Sequence, residues 1–415
     1  MRTKISLKLW CMIVCTVLFL QLAKAQNNTT TKMPLTGELA LLPPMGWNSW
    51  NAFGTNLDES ALKAVVDAYV ASGMRDAGYK YFSLDDTWST MERDSNGNLV
   101  ADPKKFPHGM KALADYVHSK GLKFGIYNCA GWRTCAGYPG SRGHEYQDAL
   151  LYASWGVDLL KYDWCNTDSL NTEEAYKTMS RALRATGRPI VFSICEWGSH
   201  KPWLWPNGIG EQYRTTGDIG PGFVVGKKFG DWQGQGVLQI LDAQMLIRKY
   251  NRPNHWNDPD MLEVGNGMTY NEDKSHFSLW CMLAAPLITG NDLRKMSDQT
   301  KTILTNKDAI AIDQDTLGIS AFKVPLADSL ELYVKPMKDA GLALCFLNRT
   351  ATAKKIDLKW SNLIVSDDVS GITVKFAETA FRTHNIWTKK NGSTKGTFKQ
   401  DIGAHDVIVL RLTKL

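Results

Sequence analysis

The chain has 415 residues, 44% of them hydrophobic, which suits one large domain with a sizeable core plus a smaller one. Its formal charge is +6, but Arg2, Lys4, Lys8 and Lys24 lie in an acid-free stretch at the start and account for four of those charges, leaving +2 for the rest. That near-neutral balance removes any electrostatic case for nucleic acid as a partner.

Three early basic residues lead into an apolar run from Leu9 to Leu22, which ends at Ala23-Lys24-Ala25 before Gln26. This is the pattern of a signal peptide over residues 1–25 with an A-x-A cleavage site, and it implies an exported protein, periplasmic or secreted. A membrane anchor is the competing reading, but the run is short for a span and polar residues follow at once. No second apolar stretch is long enough to span, so no membrane span is expected. Residues 26–38, rich in Asn, Thr and Lys, read as a disordered leader.

From about residue 40 short apolar runs alternate with amphipathic helix patterns, and polar residues follow each apolar run, the signature of parallel strands crossed by helices. Strands are predicted near Gly46 to Trp50, Tyr81 to Asp85, Lys123 to Tyr127, Asp158 to Asp163, Ile190 to Glu196, Tyr213 to Asp218, His255 to Asp260 and Leu287 to Asn291. Helices are predicted over Ser60 to Ala77, Gly109 to Ser119 (stopped by Lys120-Gly121) and Ser275 to Ala285. Strands in this number suit a closed (β/α)₈ TIM barrel over residues 39–316. A doubly wound sheet is disfavoured, because no G-x-G-x-x-G follows the first strand and polar residues gather after many strands. After about Gln314 the pattern changes to short alternating runs such as Leu330 to Lys335, Leu342 to Leu347 and Val407 to Leu412, so residues 317–415 are expected to form an antiparallel β-sandwich beside the barrel, away from its mouth.

A barrel of this kind works at the C-terminal ends of its strands, and there the sequence offers Asp85, Asp86, Asp163, Glu196, Asp218, Asp258 and Asp260. Compact D-x-D-x-D-G loops, C-x₂-C pairs and H-E-x-x-H are all missing from the sequence, so neither a metal nor an organic cofactor is expected. Acids without metal ligands point to acid/base or nucleophilic work. Trp47, Trp50, Trp88, Tyr127, Trp164 and Trp197 at the same strand ends supply flat surfaces for the apolar faces of sugars. Sugar hydrolysis needs both: one carboxylic acid to protonate the leaving oxygen and a second carboxylate for the oxocarbenium-like carbon.

Pro43-Pro44-Met45-Gly46-Trp47-Asn48-Ser49-Trp50-Asn51, Leu84-Asp85-Asp86, Lys123-Phe124-Gly125-Ile126-Tyr127, Thr134-Cys135-Ala136-Gly137, Leu160-Lys161-Tyr162-Asp163, Cys195-Glu196-Trp197-Gly198, Arg214-Thr215-Thr216-Gly217-Asp218-Ile219 and Trp256-Asn257-Asp258-Pro259-Asp260-Met261-Leu262 together resemble glycoside hydrolase family 27, the α-galactosidase family. The likeness runs in order from about residue 41 to 320 and continues weakly beyond. It implies a retaining exo-α-galactosidase acting on terminal α-linked galactose of oligosaccharides or polysaccharides, with Asp163 as nucleophile and Asp218 as acid/base. By the same likeness Asp85 and Asp86 bind the galactose O4 and O6, Trp47 forms a wall, and Tyr127, Cys135, Lys161, Trp197, Arg214, Asp260 and Met261 contact sugar.

Two electrostatic expectations accompany those roles. Lys161 projects to the same side of its strand as Asp163 and is expected to hold that carboxylate ionised. Asp218 is expected to have a raised pKa from burial among acids. Glu196 is expected to accept the sugar 2-hydroxyl, which favours galactose, since a 2-acetamido group would clash there.

Of eight cysteines, Cys11 and Cys15 belong to the signal. The resemblance implies a Cys135–Cys165 disulfide beside the active site. Thr87 replaces a cysteine common after the Asp pair, Cys195 lacks its usual partner over 196–218, and Asn128-Cys129 stands where Ser-Asp or Ala-Asp is common. An α-N-acetylgalactosaminidase, a β-L-arabinopyranosidase and a catalytically inactive galactoside-binding protein are the alternatives. The sequence leaves aglycone, linkage and oligomeric state open.

Overall fold

The computed structural model describes residues 39–415 apart from 230, 327 and 328. The signal segment 1–25 and the leader 26–38 therefore lie outside the described residues. Eight parallel strands form the barrel: β1 (Met45–Asn48), β2 (Tyr81–Ser83), β3 (Lys123–Cys129), β4 (Leu159–Asp163), β5 (Val191–Cys195), β6 (Gln212–Arg214), β7 (Trp256–Asp258) and β8 (Leu287–Thr289). They pair in the order β8-β1-β2-β3-β4-β5-β6-β7. A parallel bridge between Leu262 and Thr289 joins the chain after β7 to β8, and so closes the ring.

Side-chain parity along the strands sets what faces in and what faces out. On β4, Leu160 and Tyr162 point to the helix layer, where Tyr162 meets the rings of Tyr176 and Phe192 at 5.8 and 5.7 Å. Leu159, Lys161 and Asp163 alternate with them and point inward. Leu159 packs with Tyr81 and Val191 in one buried cluster, with Leu39 against it, and fills the lower end of the barrel. The same parity carried upward sets Lys161 and then Asp163 at the opposite, working end.

The helices follow their patterns with two differences. The predicted helix over Ser60 to Ala77 is two helices, Glu59–Ala71 and Met74–Ala77, parted at Gly73, which takes a left-handed φ of 83°. The helix predicted from Ser275 begins five residues earlier, at Tyr270, because Thr269 and Glu272 form a reciprocal capping box. The helix Gly109–Ser119 has the predicted bounds. Among the described residues no helix is long and apolar enough to cross a membrane.

The chain beyond the barrel forms a six-stranded antiparallel sheet and two two-stranded ribbons. Three central strands of that sheet, Leu330–Pro336, Leu342–Asn348 and Val407–Lys414, are buried on both faces. Leu332, Leu344, Phe346 and Leu410 join a cluster with Ile356, Trp360 and Phe376 from beyond the sheet, which makes the inside of a sandwich. Tyr333, Ala343, Cys345 and Val409, of the other parity, join the barrel's own core instead. The second face packs on helix Tyr270–Leu283, where Lys335 Nζ donates to the Cys281 carbonyl at 3.0 Å and Trp387 Nε1 to Ser278 Oγ at 3.0 Å. From Ser275 to Leu283 every residue of that shared helix is buried, so this part carries no exposed polar face.

Candidate active site

A cavity of about 660 Å³ opens at the C-terminal ends of the strands. Asp85, Asp86, Tyr127, Cys135, Lys161, Asp163, Trp197, Arg214, Asp218, Asp260 and Met261 all line it. A second, far smaller space of about 40 Å³ lies inside the barrel. Lys161, Arg214, Asp260 and Met261 line both, so these four form the floor between them.

Each carboxylate is held by its own loop. Asp85 Oδ2 accepts from Asn48 Nδ2 at 2.8 Å and from Lys161 Nζ at 2.7 Å, while its backbone N–H donates to Ser49 Oγ at 2.9 Å. Asp86 Oδ2 accepts from the Ala136 N–H at 2.9 Å, and this ties the β2 loop to the β3 loop. Asp260 Oδ2 accepts from the Ile219 N–H at 2.8 Å and pairs with Arg214 at 2.9 Å. Three non-glycine residues around the mouth, Thr87, Trp197 and Asp260, have left-handed φ values of 74°, 57° and 85°. Such backbone costs on the order of 1–3 kcal/mol apiece, and it persists here where the loops re-aim side chains.

Asp163 ends β4, in register with Cys129 of β3 and Cys195 of β5. It is 5% exposed, and its Oδ1 accepts from the Trp164 N–H at 2.8 Å. Burial pushes its carboxyl up to about 7; Lys161 opposes that shift and Asp218 adds to it. The expected protection by Lys161 is therefore partial. The lysine's direct partner is Asp85, and Coulombic relief from Lys161 falls short of the cost of desolvation.

Asp218 differs from expectation in its surroundings. Strand β6 stops at Arg214, so Asp218 sits in the loop beyond it with a half-exposed side chain. Its carboxylate is 2.9 Å from Arg214, which also holds Asp260, where burial among acids alone was anticipated.

Two expected contacts are absent from the cavity wall. Trp47 is fully buried, stacked on Phe82 at 4.8 Å with Nε1 donating to the Asn291 carbonyl at 2.8 Å, so it supports the mouth from within the core. Glu196 is also fully buried: its Oε2 accepts from the His200 N–H at 2.5 Å and faces the His200 ring at 3.0 Å, and its Oε1 has no hydrogen-bond partner among the described residues. Its neighbour Trp197 takes the place on the wall. Asp258 borders only the small lower space, where burial raises its carboxyl to about 6 against the pull of Arg214. Of the strand-end aromatics, Trp50 joins Tyr127 and Trp197 at the cavity, whereas Trp88 and Trp164 are buried structural rings, Trp164 stacking on Tyr176 at 5.6 Å.

Sequence reasoning missed Asn51, Glu263, Asn266 and Trp232 on the wall. Glu263 accepts from Asn51 and from Asn266, the latter at 2.5 Å, and burial pushes its carboxyl up to about 7. Alternation past Met261 was the available signal for Glu263, since the two share parity. Trp232 lies on a small hairpin, Lys228–Phe229 with Trp232–Gln233, inside a glycine-rich stretch that has no strand-like run to reveal it.

Cys135 and Cys165 form a disulfide, and Tyr127 Oη donates to Cys135 Sγ at 3.2 Å. Cys129, Cys195, Cys281 and Cys345 are free and buried. Every residue on the wall falls between 50 and 266, so the β-sandwich lends the cavity none of its described residues.

Residues 42–315 match the family model described as alpha galactosidase A, and residues 327–412 match that of the alpha galactosidase C-terminal beta sandwich domain. The chain is 55% identical over 376 residues to alpha-galactosidase A of Cellvibrio japonicus, covering 91% of this chain and 93% of that one. The structure of alpha-galactosidase I from Mortierella vinacea is similar with a TM-score of 0.83 at 33% identity, over 91% of this chain and 98% of that one. The Saccharomyces cerevisiae alpha-galactosidase solved with raffinose gives a TM-score of 0.83 at 29% identity, over 92% and 100%.

Proposed function

The chain belongs to the α-galactosidase family of glycoside hydrolases, and we propose that it is an exported, retaining exo-α-galactosidase with Asp163 as nucleophile and Asp218 as acid/base. The observation that carries this reading is that both carboxylates line one cavity, beside the paired groups Lys161–Asp85 and Arg214–Asp260 and the rings of Trp50, Tyr127 and Trp197.

In the first step the Asp163 carboxylate attacks the anomeric carbon while the Asp218 carboxyl gives its proton to the glycosidic oxygen, and the aglycone departs as an alcohol. In the second, the Asp218 carboxylate takes a proton from water, whose oxygen attacks the same carbon and releases Asp163. One water is consumed and the anomeric configuration is kept. Arg214 stands 2.9 Å from the carboxylate that Asp218 becomes between the steps. The Lys161–Asp85 pair offers both a donor and an acceptor to sugar hydroxyls, and Asp86, anchored by backbone N–H groups, offers a second acceptor.

Nitrophenyl α-galactoside, α-N-acetylgalactosaminide and β-L-arabinopyranoside assays, with NMR of the first-formed anomer, test the reading. Turnover of the α-galactoside with α-galactose appearing first is expected. Asp163→Asn should abolish turnover while galactose binding persists, and Asp218→Asn should cost roughly 10²–10⁴ in rate on a poor leaving group. Inversion, or full activity of Asp163→Asn, would defeat it.

A further inference from the structure

We propose that Trp232, presented by the hairpin after β6, is the platform for the aglycone sugar and so sets which galactosides are cleaved fast; this rests on Asp218 being the acid/base. A proton donor to the glycosidic oxygen must lie beside the leaving group, so the wall next to Asp218 is the aglycone side. The hairpin hangs from that very residue: the Gln235 N–H donates to the Asp218 carbonyl at 2.8 Å, and the Gly220 N–H donates to the Gln235 carbonyl at 3.0 Å. Ile219, Pro221 and Trp232 then line the cavity together.

Trp232 is 45% exposed and lines the cavity, so part of its indole surface is presented there. The backbone on either side of the hairpin packs closely. A Cβ at Gly234 would come within 2.6 Å of the Gly220 nitrogen and 3.0 Å of the Trp232 ring, and one at Gly226 within 2.2 Å of the Gly234 carbonyl oxygen. Only glycine allows the two limbs to approach and the ring to sit where it does. Volume agrees: about 660 Å³ falls in the range of roughly 300–1,000 Å³ that holds a drug-sized ligand, more than one pyranose fills. The occupant is a hexopyranose whose C–H face lies on the indole.

The test compares two substrates that share the galactosyl half. α-Galactosyl fluoride has no aglycone sugar to stack, whereas melibiose, galactose joined α-1,6 to glucose, has one. Trp232→Ala should lose roughly tenfold in kcat/KM on melibiose and stay within about twofold of wild type on the fluoride, and Trp232→Phe should recover most of the loss. Retained fluoride turnover also reports an intact fold. Equal losses on both substrates, or none on melibiose while the wild type cleaves both, would overturn the platform alone. Failure of the wild type on both would overturn the α-galactosidase reading and the platform with it.

Discussion

Asp163→Asn is expected to stabilise the protein, increasingly so as pH rises. In the folded protein burial lifts the Asp163 carboxyl from 3.8 to about 7, so between those values the unfolded chain releases a proton that the folded one keeps. The Asp163 contribution to wild-type stability therefore falls as pH rises through that window, and its cost is complete above about 7. Three pH units at ~1.4 kcal/mol each set a ceiling of ~4 kcal/mol. Asparagine removes the ionisation and loses little in exchange: its carbonyl can still accept the Trp164 N–H, and Lys161 keeps its bond to Asp85. Calorimetric melting of both proteins at about pH 4 and about pH 8 reads the difference. The variant's midpoint should sit several degrees higher at about pH 8, with the gap closing towards about pH 4. A gap independent of pH, or one that widens towards about pH 4, would refute the desolvation argument.

The same ionisation should appear in catalysis. On the proposed mechanism, in which Asp163 attacks as its carboxylate, kcat/KM should rise with pH through about 7, and Lys161→Met, which removes an opposing charge, should move that limb up by about one unit; initial rates from about pH 4 to about pH 9 check both. Gly198→Ala places a Cβ 2.3 Å from the Thr215 carbonyl oxygen at a φ of 78°, and the resulting shift of the β5 and β6 loops should cost roughly 1–3 kcal/mol in urea unfolding and weaken activity. Cys165→Ala opens the Cys135–Cys165 bridge without cutting a group from the cavity wall. With a sequence separation of 30 between the bonded positions, it should cost roughly 3–4 kcal/mol on the chain-entropy account, and it should raise KM by freeing Cys135 at the wall. An unchanged melting midpoint would show that the loop is held by other contacts.

Sequence order was enough to determine the architecture, because alternation of apolar runs and helical stripes is local. Lys123 to Tyr127 reads as a strand from its own short apolar run between a Lys-Gly stop and polar residues, and those polar residues mark the cavity end. The parity that sets Lys161 and Asp163 on one side of β4 is equally local, and so the two are found together. Legibility fails where the backbone turns after a strand. At Trp197 and Asp260 a left-handed φ redirects the chain, so counting along β5 does not reveal that Trp197 takes the wall and Glu196 goes into the interior.

Partner choice was likewise beyond the one-dimensional pattern. Lys161 meets Asp85, 76 residues away, and Arg214 divides itself between Asp218 and Asp260, so the charge state of each acid depends on loops that only the closed barrel brings together. Desolvation, the largest influence on Asp163, is a property of everything packed around it and of no segment by itself. The chain's own order thus determined which chemical groups reach the mouth of the barrel. Closure of the ring decided which of them line the cavity, which are paired and which are sealed away, since those outcomes arise from contacts between distant loops.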